Sequence, residues 1–282
     1  MLAICLTYCT IENNTMQEPS IDIQKKKMVV FDLDGTLTET KSPMDKEMAG
    51  LLCRLLEKKK VAVISGGGLG QFQKQLLVAL DCPSALLNSL FLFPTSGTRF
   101  YRYVKDAWVE VYADMMSDAE RQKIKDAFAR VFGEIGYVQP EKLYGEVIED
   151  RGTQVTFSAL GQDIVDVLGA EGVRLKQAFR AEHEDELRTL TAALARQLPD
   201  FEVRLAGVTS IDVTRKGIDK GYGIAQIEKL LGILRAEMVF VGDAIYEGGN
   251  DYAAKTAGVE CVPVTGPEET KKLIDFWFRE LH

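Results

Sequence analysis

Short apolar runs that end in a polar residue recur along the chain. They span Met28–Asp32, Val61–Ser65 and Met238–Asp243. Continuous apolar runs of this length are typical of strands that are buried on both faces of a parallel sheet. Apolar residues at helical spacing predict helices over Asp45–Lys60 and Leu69–Leu80. This alternation of strands and helices predicts an α/β fold with a doubly wound parallel sheet.

The middle of the chain has a different pattern. A capping box at Ser117–Glu120 opens a predicted helix, and a second helix over Leu187–Leu198 stops at a proline. Apolar and polar residues alternate in Gln154–Ser158 and in Ser210–Thr214, as they do in half-buried strands. Helices combined with alternating strands predict an inserted α+β cap domain.

The boundaries of these domains follow from the same pattern. The cap is expected at 98–206, and the catalytic core at 25–97 and 207–282. Residues 1–24 are expected to form a poorly ordered extension. The apolar stretch Leu2–Tyr8 within it is too short to cross a bilayer, and no basic residue precedes it, so neither a signal peptide nor a membrane partner is expected.

Composition narrows the function classes. The net charge of −8 argues against nucleic-acid binding, which normally requires a basic face. The two histidines, His183 and His282, make a histidine-based triad or a histidine-ligated metal improbable. None of the five cysteines forms a Cys-x-x-Cys pair, which favours free thiols in a reducing compartment over disulfides or structural zinc. A cytoplasmic location is therefore expected.

Polar residues that could carry chemistry stand at the ends of the predicted strands. Asp32, Ser65 and Asp243 each end one apolar run, and Asp34 follows Asp32 by two residues. The carboxyl ends of parallel strands meet at one edge of a sheet, so we expect these side chains to lie together. An Asp-x-Asp-Gly turn alone is explained as well by turn propensity, but three matching strand ends favour a catalytic site.

These residue types suit phosphoryl transfer. A carboxylate such as Asp32 can attack phosphorus and form an aspartyl-phosphate, while Asp34 exchanges protons with the leaving and attacking oxygens. Because a phosphate dianion repels a carboxylate, a divalent cation is needed, and Mg²⁺ prefers oxygen ligands such as those of Asp32 and Asp243. The Ser65-Gly66 turn could cradle phosphate oxygens, and Lys220 could add a point charge.

Several of these features also have simpler explanations. The glycines after Ser65 are equally typical of a flexible turn, and a single lysine such as Lys220 is usually exposed to solvent. The polar faces of the alternating strands are equally typical of solvent-facing surface. Neither a Gly-x-x-x-x-Gly-Lys-Ser/Thr motif nor a Gly-x-Gly-x-x-Gly motif is present, which disfavours a P-loop enzyme and a dinucleotide fold.

Taken together, the motifs resemble those of the haloacid dehalogenase (HAD) superfamily, subfamily IIB, with a C2-type cap. The segments that carry the resemblance are Asp32-Leu-Asp-Gly-Thr36, Ser65-Gly66, Lys220 and Gly242-Asp243 followed by Gly249-Asn-Asp251. The resemblance implies that Asp32 is the nucleophile, Asp34 the acid/base, and Ser65 and Lys220 the phosphate anchors. It implies Mg²⁺ held by Asp32, the Asp34 carbonyl and Asp243, with Asn250 and Asp251 in support.

Within that superfamily, the chain is most similar to the eukaryotic-type phosphomannomutases. The similar segments are Arg151-x₆-Ser158-x-x-Gly161, Ser210-Ile-Asp212 and Gly217-Ile-Asp-Lys220. The resemblance implies that the substrate, a small sugar phosphate, is bound by Gly66, Arg151, Ser158, Ser210 and Asp212. It also leaves open a homodimer that forms through the cap.

Two features favour hydrolysis over mutase activity. Gly242-Asp243 has the ordinary phosphatase form, and Tyr144 stands where the mutases carry a further phosphate-binding arginine. The sequence therefore predicts a Mg²⁺-dependent phosphohydrolase that acts on a sugar phosphate through an aspartyl-phosphate. A phosphomannomutase or phosphoglucomutase that uses a 1,6-bisphosphate is the alternative. A non-catalytic phosphosugar-binding or receiver-like module is disfavoured, because every motif residue is intact and receivers lack both the cap and Asp34.

Overall fold

Two β-sheets divide the protein into a core and a cap. The computed structural model describes residues 21–281. The first part of the core contains β1 (Met28–Phe31), α1 (Lys46–Leu56), β2 (Lys60–Ile64), α2 (Leu69–Gln75), α3 (Ser84–Leu87), β3 (Leu90–Phe93), β4 (Arg99–Val104) and β5 (Ala107–Ala113). The cap contains α4 (Asp118–Ile135), β6 (Ile148–Asp150), β7 (Val155–Ser158), α5 (Ile164–Leu168), α6 (Ala170–Gln197), β8 (Phe201–Ala206) and β9 (Ser210–Arg215). The core resumes with α7 (Lys220–Leu231), β10 (Met238–Gly242), α8 (Tyr252–Thr256), β11 (Glu260–Pro263) and α9 (Pro267–Glu280).

The core is a seven-stranded sheet with the order β11-β10-β1-β2-β3-β4-β5. Strands β11 to β3 are parallel, and β4 and β5 continue the sheet in antiparallel pairing. Helices cover both faces, because side chains alternate between the two sides of each strand. Val29 and Val241 pack with Trp277 of α9 on one face, and Val30 and Phe240 pack with neighbouring helices on the other. The predicted doubly wound α/β core with an inserted α+β cap is confirmed.

The cap is a four-stranded antiparallel sheet, β6-β7-β9-β8, with helices on one face. Its apolar core joins Phe128 of α4 and Leu190 of α6 to Phe157 and Ile211 of the sheet. Helix α4 begins with the predicted capping box, in which Ser117 and Glu120 bond each other's backbone. The opposite face of the sheet carries polar side chains and is turned toward the core.

Helix α6 is longer than the sequence pattern predicts. It runs for 28 residues and departs from helical geometry at His183. Charged residues occur along its whole length. Within residues 21–281, no helix combines the length and the apolar composition needed to cross a membrane.

The predicted cap boundaries, 98–206, differ from the observed sheets at both ends. Strands β4 and β5 pair with β3, so the core sheet extends to Ala113. Strand β9 pairs with β7 and β8, so the cap sheet extends to Arg215. The cause is general: alternation of apolar and polar residues identifies a strand but does not specify the sheet in which it pairs.

The start of the described chain corrects part of the predicted N-terminal extension. Residues 1–20 of that extension lie outside the described residues. Asp22 caps a short 3₁₀ turn over Ile23–Lys25, and Ile23 is only 2% exposed within the core. Residues 21–24 therefore belong to the folded core, because an apolar side chain in this segment packs against the sheet.

The expectation of free thiols is wrong for one pair of cysteines. Cys53 of α1 and Cys82, which precedes α3, form a disulfide with a Cα–Cα distance of 5.6 Å. The two residues are 29 positions apart, so the sequence offered no short-spacing signal for the pair. Cys261 is free, and Cys5 and Cys9 lie outside the described residues.

Candidate active site

Neighbouring strands bring three polar side chains to one edge of the core sheet. Asp32 follows β1, Ser65 follows β2 and Asp243 follows β10, and β1 lies between the other two strands. The backbone of Asp32 continues the pairing by donating to the Val241 carbonyl across 3.0 Å. The topology therefore gathers the three residues at the carboxyl edge, where ligands bind in open α/β sheets.

A buried lysine joins two carboxylates at this edge. Lys220 is the first residue of α7, and its Nζ lies 2.5 Å from Asp32 Oδ1 and also bonds Asp251 Oδ1. Burial raises the pKa of Asp32, and the adjacent charge of Lys220 opposes that shift. Burial also opposes the charge of Lys220, but Asp32 and Asp251 more than compensate and raise the pKa of Lys220.

Asp32, Asp243 and Asp251 together offer a set of ligands for a metal ion. One carboxylate oxygen from each lies within 4.8 Å of the others. Gly35 has a φ of +80°, and a Cβ there would lie 2.5 Å from Asp243 Oδ2, so glycine leaves the space that Asp243 occupies. The three carboxylates carry more negative charge than the single Lys220 can balance, and their oxygens are hard donors. Both properties fit Mg²⁺. Asn250 is exposed, and no hydrogen bond joins its side chain to these carboxylates within residues 21–281.

The side chain of Asp34 accepts three hydrogen bonds. Its Oδ1 accepts from the backbone N–H of Lys41 at 2.6 Å and from Gln75 Nε2 at 3.1 Å. Its Oδ2 accepts from Gln71 Nε2 at 2.6 Å. The two glutamines come from α2, so this helix fixes the orientation of the predicted acid/base.

The loop Ser65–Gly67 is where the cap meets the core. Ser65 Oγ accepts the N–H of Gly67 at 3.1 Å, which closes the loop into a tight turn. The carbonyl of Gly66 accepts from Arg151 Nη1 at 3.1 Å and from Gln154 Nε2 at 3.2 Å, and both donors belong to the cap. The cap therefore rests directly on the loop that is predicted to hold phosphate.

The polar face of the cap sheet places Asp212 above this loop. A Cβ on Gly66 would lie 3.5 Å from Asp212 Oδ2. Asp212 Oδ1 accepts a hydrogen bond from Thr156 at 2.7 Å. Burial raises the pKa of Asp212, although the nearby Arg151 and the bond from Thr156 oppose the shift.

The remaining residues that were predicted to bind substrate from the cap differ in their contacts. Arg151 pairs with Glu149 at 2.7 Å and reaches Gly66. Ser210 lies on the same face of β9 as Asp212 and is opposite Ser158. The Ser158 hydroxyl, which is fully buried, donates to the Gly161 carbonyl at 3.0 Å, so it stabilises its own turn rather than facing the crevice.

The sequence did not identify a pair of lysines that meet between the core and the cap. Lys176 of α6 is only 2% exposed and lies beside Lys41, which follows Asp34 in the core. Burial and the adjacent charge of Lys41 lower the pKa of Lys176 to about 7. Among the described residues, neither lysine forms an ion pair with a carboxylate. Two adjacent amines in a buried position are suited to an anionic ligand, which would stabilise the protonated form of both.

The site residues that were not predicted differ in whether the sequence contains a signal for them. Gln154 and Thr156 lie on the polar face of an alternating stretch, so the pattern itself contains a signal for them. Gln71 and Gln75 stand one helical turn apart, but nothing local connects them to Asp34. Lys176 stands in a charged helix, where no sequence feature separates it from solvent-exposed lysines.

Solved structures share this fold. IMP-bound IMP-nucleotidase from Plasmodium falciparum superimposes with a TM-score of 0.63 at 15% identity, covering 91% of this chain and 68% of that chain. A haloacid dehalogenase-like hydrolase from Bacteroides thetaiotaomicron gives a TM-score of 0.55 at 13% identity, covering 89% of this chain and 99% of that chain. At these identities the similarity establishes a HAD-like fold.

Sequence relatives narrow the assignment. A phosphomannomutase from Saccharomyces cerevisiae is 26% identical over 254 residues, which is 88% of this chain and 92% of the relative. One from Encephalitozoon cuniculi is 26% identical over 259 residues, with 89% and 93% coverage. The family described as eukaryotic phosphomannomutase matches residues 48–280. The chain is an enzyme of the HAD superfamily and belongs to its eukaryotic phosphomannomutase family.

Proposed function

We propose that the protein is a Mg²⁺-dependent phosphosugar mutase, which moves a phosphoryl group between two hydroxyls of a hexose through an aspartyl-phosphate on Asp32. The observation that carries this proposal is the pair Lys41 and Lys176, which places a second set of adjacent amines where cap helix α6 meets the core. The first amine is that of Lys220, next to Asp32. This choice favours the alternative from the sequence analysis over hydrolysis.

The pair Lys41 and Lys176 matters because of what a mutase has to bind. A phosphatase needs to hold only the phosphate that it removes, whereas a mutase also holds a phosphate at the far end of a sugar bisphosphate. Asp32 and Asp251 already neutralise Lys220. Lys41 and Lys176 have no such partner among the described residues, so a distal phosphate between them would favour the protonated form of Lys176 and pair with both side chains.

The roles of the reacting residues follow from their positions. Asp32 attacks phosphorus and takes the phosphoryl group, while Lys220 and the Ser65–Gly67 loop bind its oxygens. Asp34 donates a proton to the leaving sugar oxygen and then accepts one from the hydroxyl that attacks next. Mg²⁺, held by Asp32 and Asp243 with Asp251 in support, would neutralise the charge that develops on the phosphoryl oxygens.

The sugar is expected to lie between the core and the cap. Arg151, Ser210 and Asp212 belong to the cap, and Asp212 faces the loop at Gly66. Similarity to proteins named phosphomannomutase supports a hexose phosphate as the substrate. A cytoplasmic location and a homodimer through the cap stay predictions.

Hydrolysis is the second candidate function, and Tyr144 favours it. The Nζ of Lys142 lies 5.1 Å from the centroid of its ring. A tyrosine at this position supplies no positive charge for a distal phosphate. If the sugar bisphosphate is held too weakly, water can take the phosphoryl group from Asp32 instead.

The deciding experiment supplies mannose 1-phosphate or glucose 1-phosphate with Mg²⁺, with and without the matching 1,6-bisphosphate. Formation of the 6-phosphate and release of inorganic phosphate are measured together. A mutase forms the 6-phosphate faster than it releases phosphate, and the bisphosphate stimulates it. Phosphate release without isomerised sugar would contradict the proposal and establish the phosphatase.

A variant connects this experiment to the lysine pair. Lys176→Met should impair mutase turnover by about tenfold or more, since an ion contact with the distal phosphate is lost. Turnover of p-nitrophenyl phosphate, which has no distal phosphate, should change little. Equal losses on both substrates would mean that Lys176 supports the fold rather than the second phosphate.

A further inference from the structure

A chain of hydrogen bonds runs from the core loop through the cap to Asp212. Gln154 Nε2 donates to the Gly66 carbonyl at 3.2 Å and to Thr156 Oγ1 at 2.8 Å. Thr156 Oγ1 then donates to Asp212 Oδ1 at 2.7 Å. Gln154 and Thr156 are 1% and 2% exposed, so water does not compete effectively for these bonds.

The direction of each bond in this chain is fixed by chemistry. The amide nitrogen of Gln154 has two hydrogens, one for Gly66 and one for Thr156. The Thr156 hydroxyl has a single hydrogen, which goes to Asp212 because its oxygen already accepts from Gln154. Asp212 Oδ1 is therefore occupied, and Oδ2 is left facing the space above Gly66.

We propose that Gln154 and Thr156 are positioning residues that determine specificity for sugar phosphates by holding Asp212 over the Ser65–Gly67 loop. The inference rests on the proposed function, in which Asp212 contacts the sugar. Neither residue touches the reacting atoms. They act by presenting Asp212 Oδ2 to a sugar hydroxyl and by making that orientation depend on contact between the cap and Gly66.

The contact at Gly66 makes the chain of hydrogen bonds depend on the position of the cap. Gln154 can bond both Gly66 and Thr156 only while the cap rests on the core loop. When the cap lifts, Gln154 loses one partner, and the fixed orientation of Thr156 and Asp212 loses its anchor. The carboxylate that selects the sugar is therefore held in place when the phosphate loop is covered, which couples specificity to closure.

The substitution Thr156→Val tests this directly, because valine has the shape of threonine without the hydroxyl. Losing a bond to a buried carboxylate should lower kcat/KM for the hexose phosphate by about 10- to 100-fold. Turnover of p-nitrophenyl phosphate, which offers no sugar hydroxyl to Asp212, should stay within about threefold. Thr156→Ser keeps the hydroxyl and should restore most of the activity on the hexose phosphate.

Thr209→Val is the matched control. Thr209 is also fully buried in the cap, but its hydroxyl has no hydrogen-bond partner among the described residues. The same substitution there should leave kcat/KM for both substrates nearly unchanged. If Thr209→Val and Thr156→Val lower hexose phosphate turnover equally, the loss reflects general packing of the cap, and the inference is wrong.

A double-mutant cycle then asks whether Thr156 acts through Asp212. In the Asp212→Ala background, Thr156→Val should have almost no further effect on hexose phosphate turnover, because the residue that it positions is absent. Gln154→Met should behave like Thr156→Val in both backgrounds. Additive losses would overturn the positioning role.

The two proposals fail in different ways. If the wild-type protein turns over p-nitrophenyl phosphate but no hexose phosphate, the proposed function is wrong and this inference falls with it. If the wild type isomerises a hexose 1-phosphate to the 6-phosphate and the variants lose activity equally on both substrates, the proposed function stands. In that case only the role assigned to Gln154 and Thr156 is rejected.

Discussion

Gln71 donates a hydrogen bond to Asp34 across 2.6 Å, and the same side chain fills the space in which a Cβ on Gly67 would lie. The loop that would hold phosphate and the carboxylate that would move protons are therefore shaped by one glutamine. Glycine at position 67 allows this approach, since any larger residue would displace the Gln71 amide.

We expect Gln71→Ala to lower kcat for the hexose phosphate by about tenfold with little change in KM. Asp34 would lose one of the donors that fix its orientation, and proton transfer depends on that orientation. Steady-state kinetics measure the changes in kcat and KM separately. Gln73→Ala, an exposed position on the same helix, is the control and should have no effect. A loss confined to KM would show that Gln71 binds substrate instead.

Asp32→Asn should abolish turnover and leave the fold intact. The amide cannot attack phosphorus, and it is not an anionic ligand for Mg²⁺. The fold is retained because Lys220 keeps Asp251 as an ionic partner. Activity, the thermal midpoint and its shift on adding Mg²⁺ are measured, with Asp185→Asn at an exposed position as the control. Clear turnover by the folded variant would refute the nucleophile assignment.

Removal of the metal offers an independent check on the same site. Excess EDTA should silence the wild-type enzyme, and added Mg²⁺ should restore it, because three carboxylates converge on one position. Asp243→Ala should raise the Mg²⁺ concentration required for half-maximal activity. Unchanged turnover in EDTA would remove the metal from the mechanism.

The site residues at the strand ends could be predicted from the sequence because their placement depends on local structure alone. A buried strand followed by a carboxylate places that carboxylate at the edge of a parallel sheet, whatever the rest of the chain does. Asp32, Ser65 and Asp243 are brought together for this reason. The cap boundary was not accessible in this way, since β4 and β5 alternate like cap strands but pair with β3.

Contacts between distant elements could not be read from the sequence. Lys41 lies in the core and Lys176 in helix α6 of the cap, and the two meet only through tertiary contact between these parts of the chain. The pair Cys53 and Cys82 depends in the same way on how α1 lies against the segment before α3. Residues that meet through tertiary packing leave no spacing pattern that would identify them.

The Cys53–Cys82 disulfide should stabilise the core without affecting chemistry. Cross-linking a loop of 29 residues contributes about 3 to 4 kcal/mol on a chain-entropy estimate. Cys53→Ser or treatment with a dithiol should therefore lower the denaturation midpoint, while kcat stays near the wild-type value. Cys261→Ser is the control. A non-reducing peptide map that lacks a Cys53–Cys82 cross-link would contradict the pairing.

The last prediction concerns Lys176, whose pKa of about 7 in the folded protein lies well below its ordinary value of 10.5. Between these values the unfolded chain holds a proton that the folded chain does not. Folding stability should therefore rise as the pH increases from about 7 toward 10.5. Lys176→Met should flatten this rise, which thermal or chemical unfolding at several pH values would measure.

Ligand binding should respond to pH in the opposite sense. An anionic phosphate beside Lys176 favours the charged lysine, so binding of a sugar bisphosphate at pH 8 should take up close to one proton. Affinity should weaken as the pH rises above 7. Calorimetry in two buffers with different ionisation heats measures the uptake. Lys176→Arg, which stays charged, and Lys176→Met, which cannot be charged, should both abolish it. Undiminished uptake in these variants would show that another group takes the proton and that Lys176 does not face the phosphate.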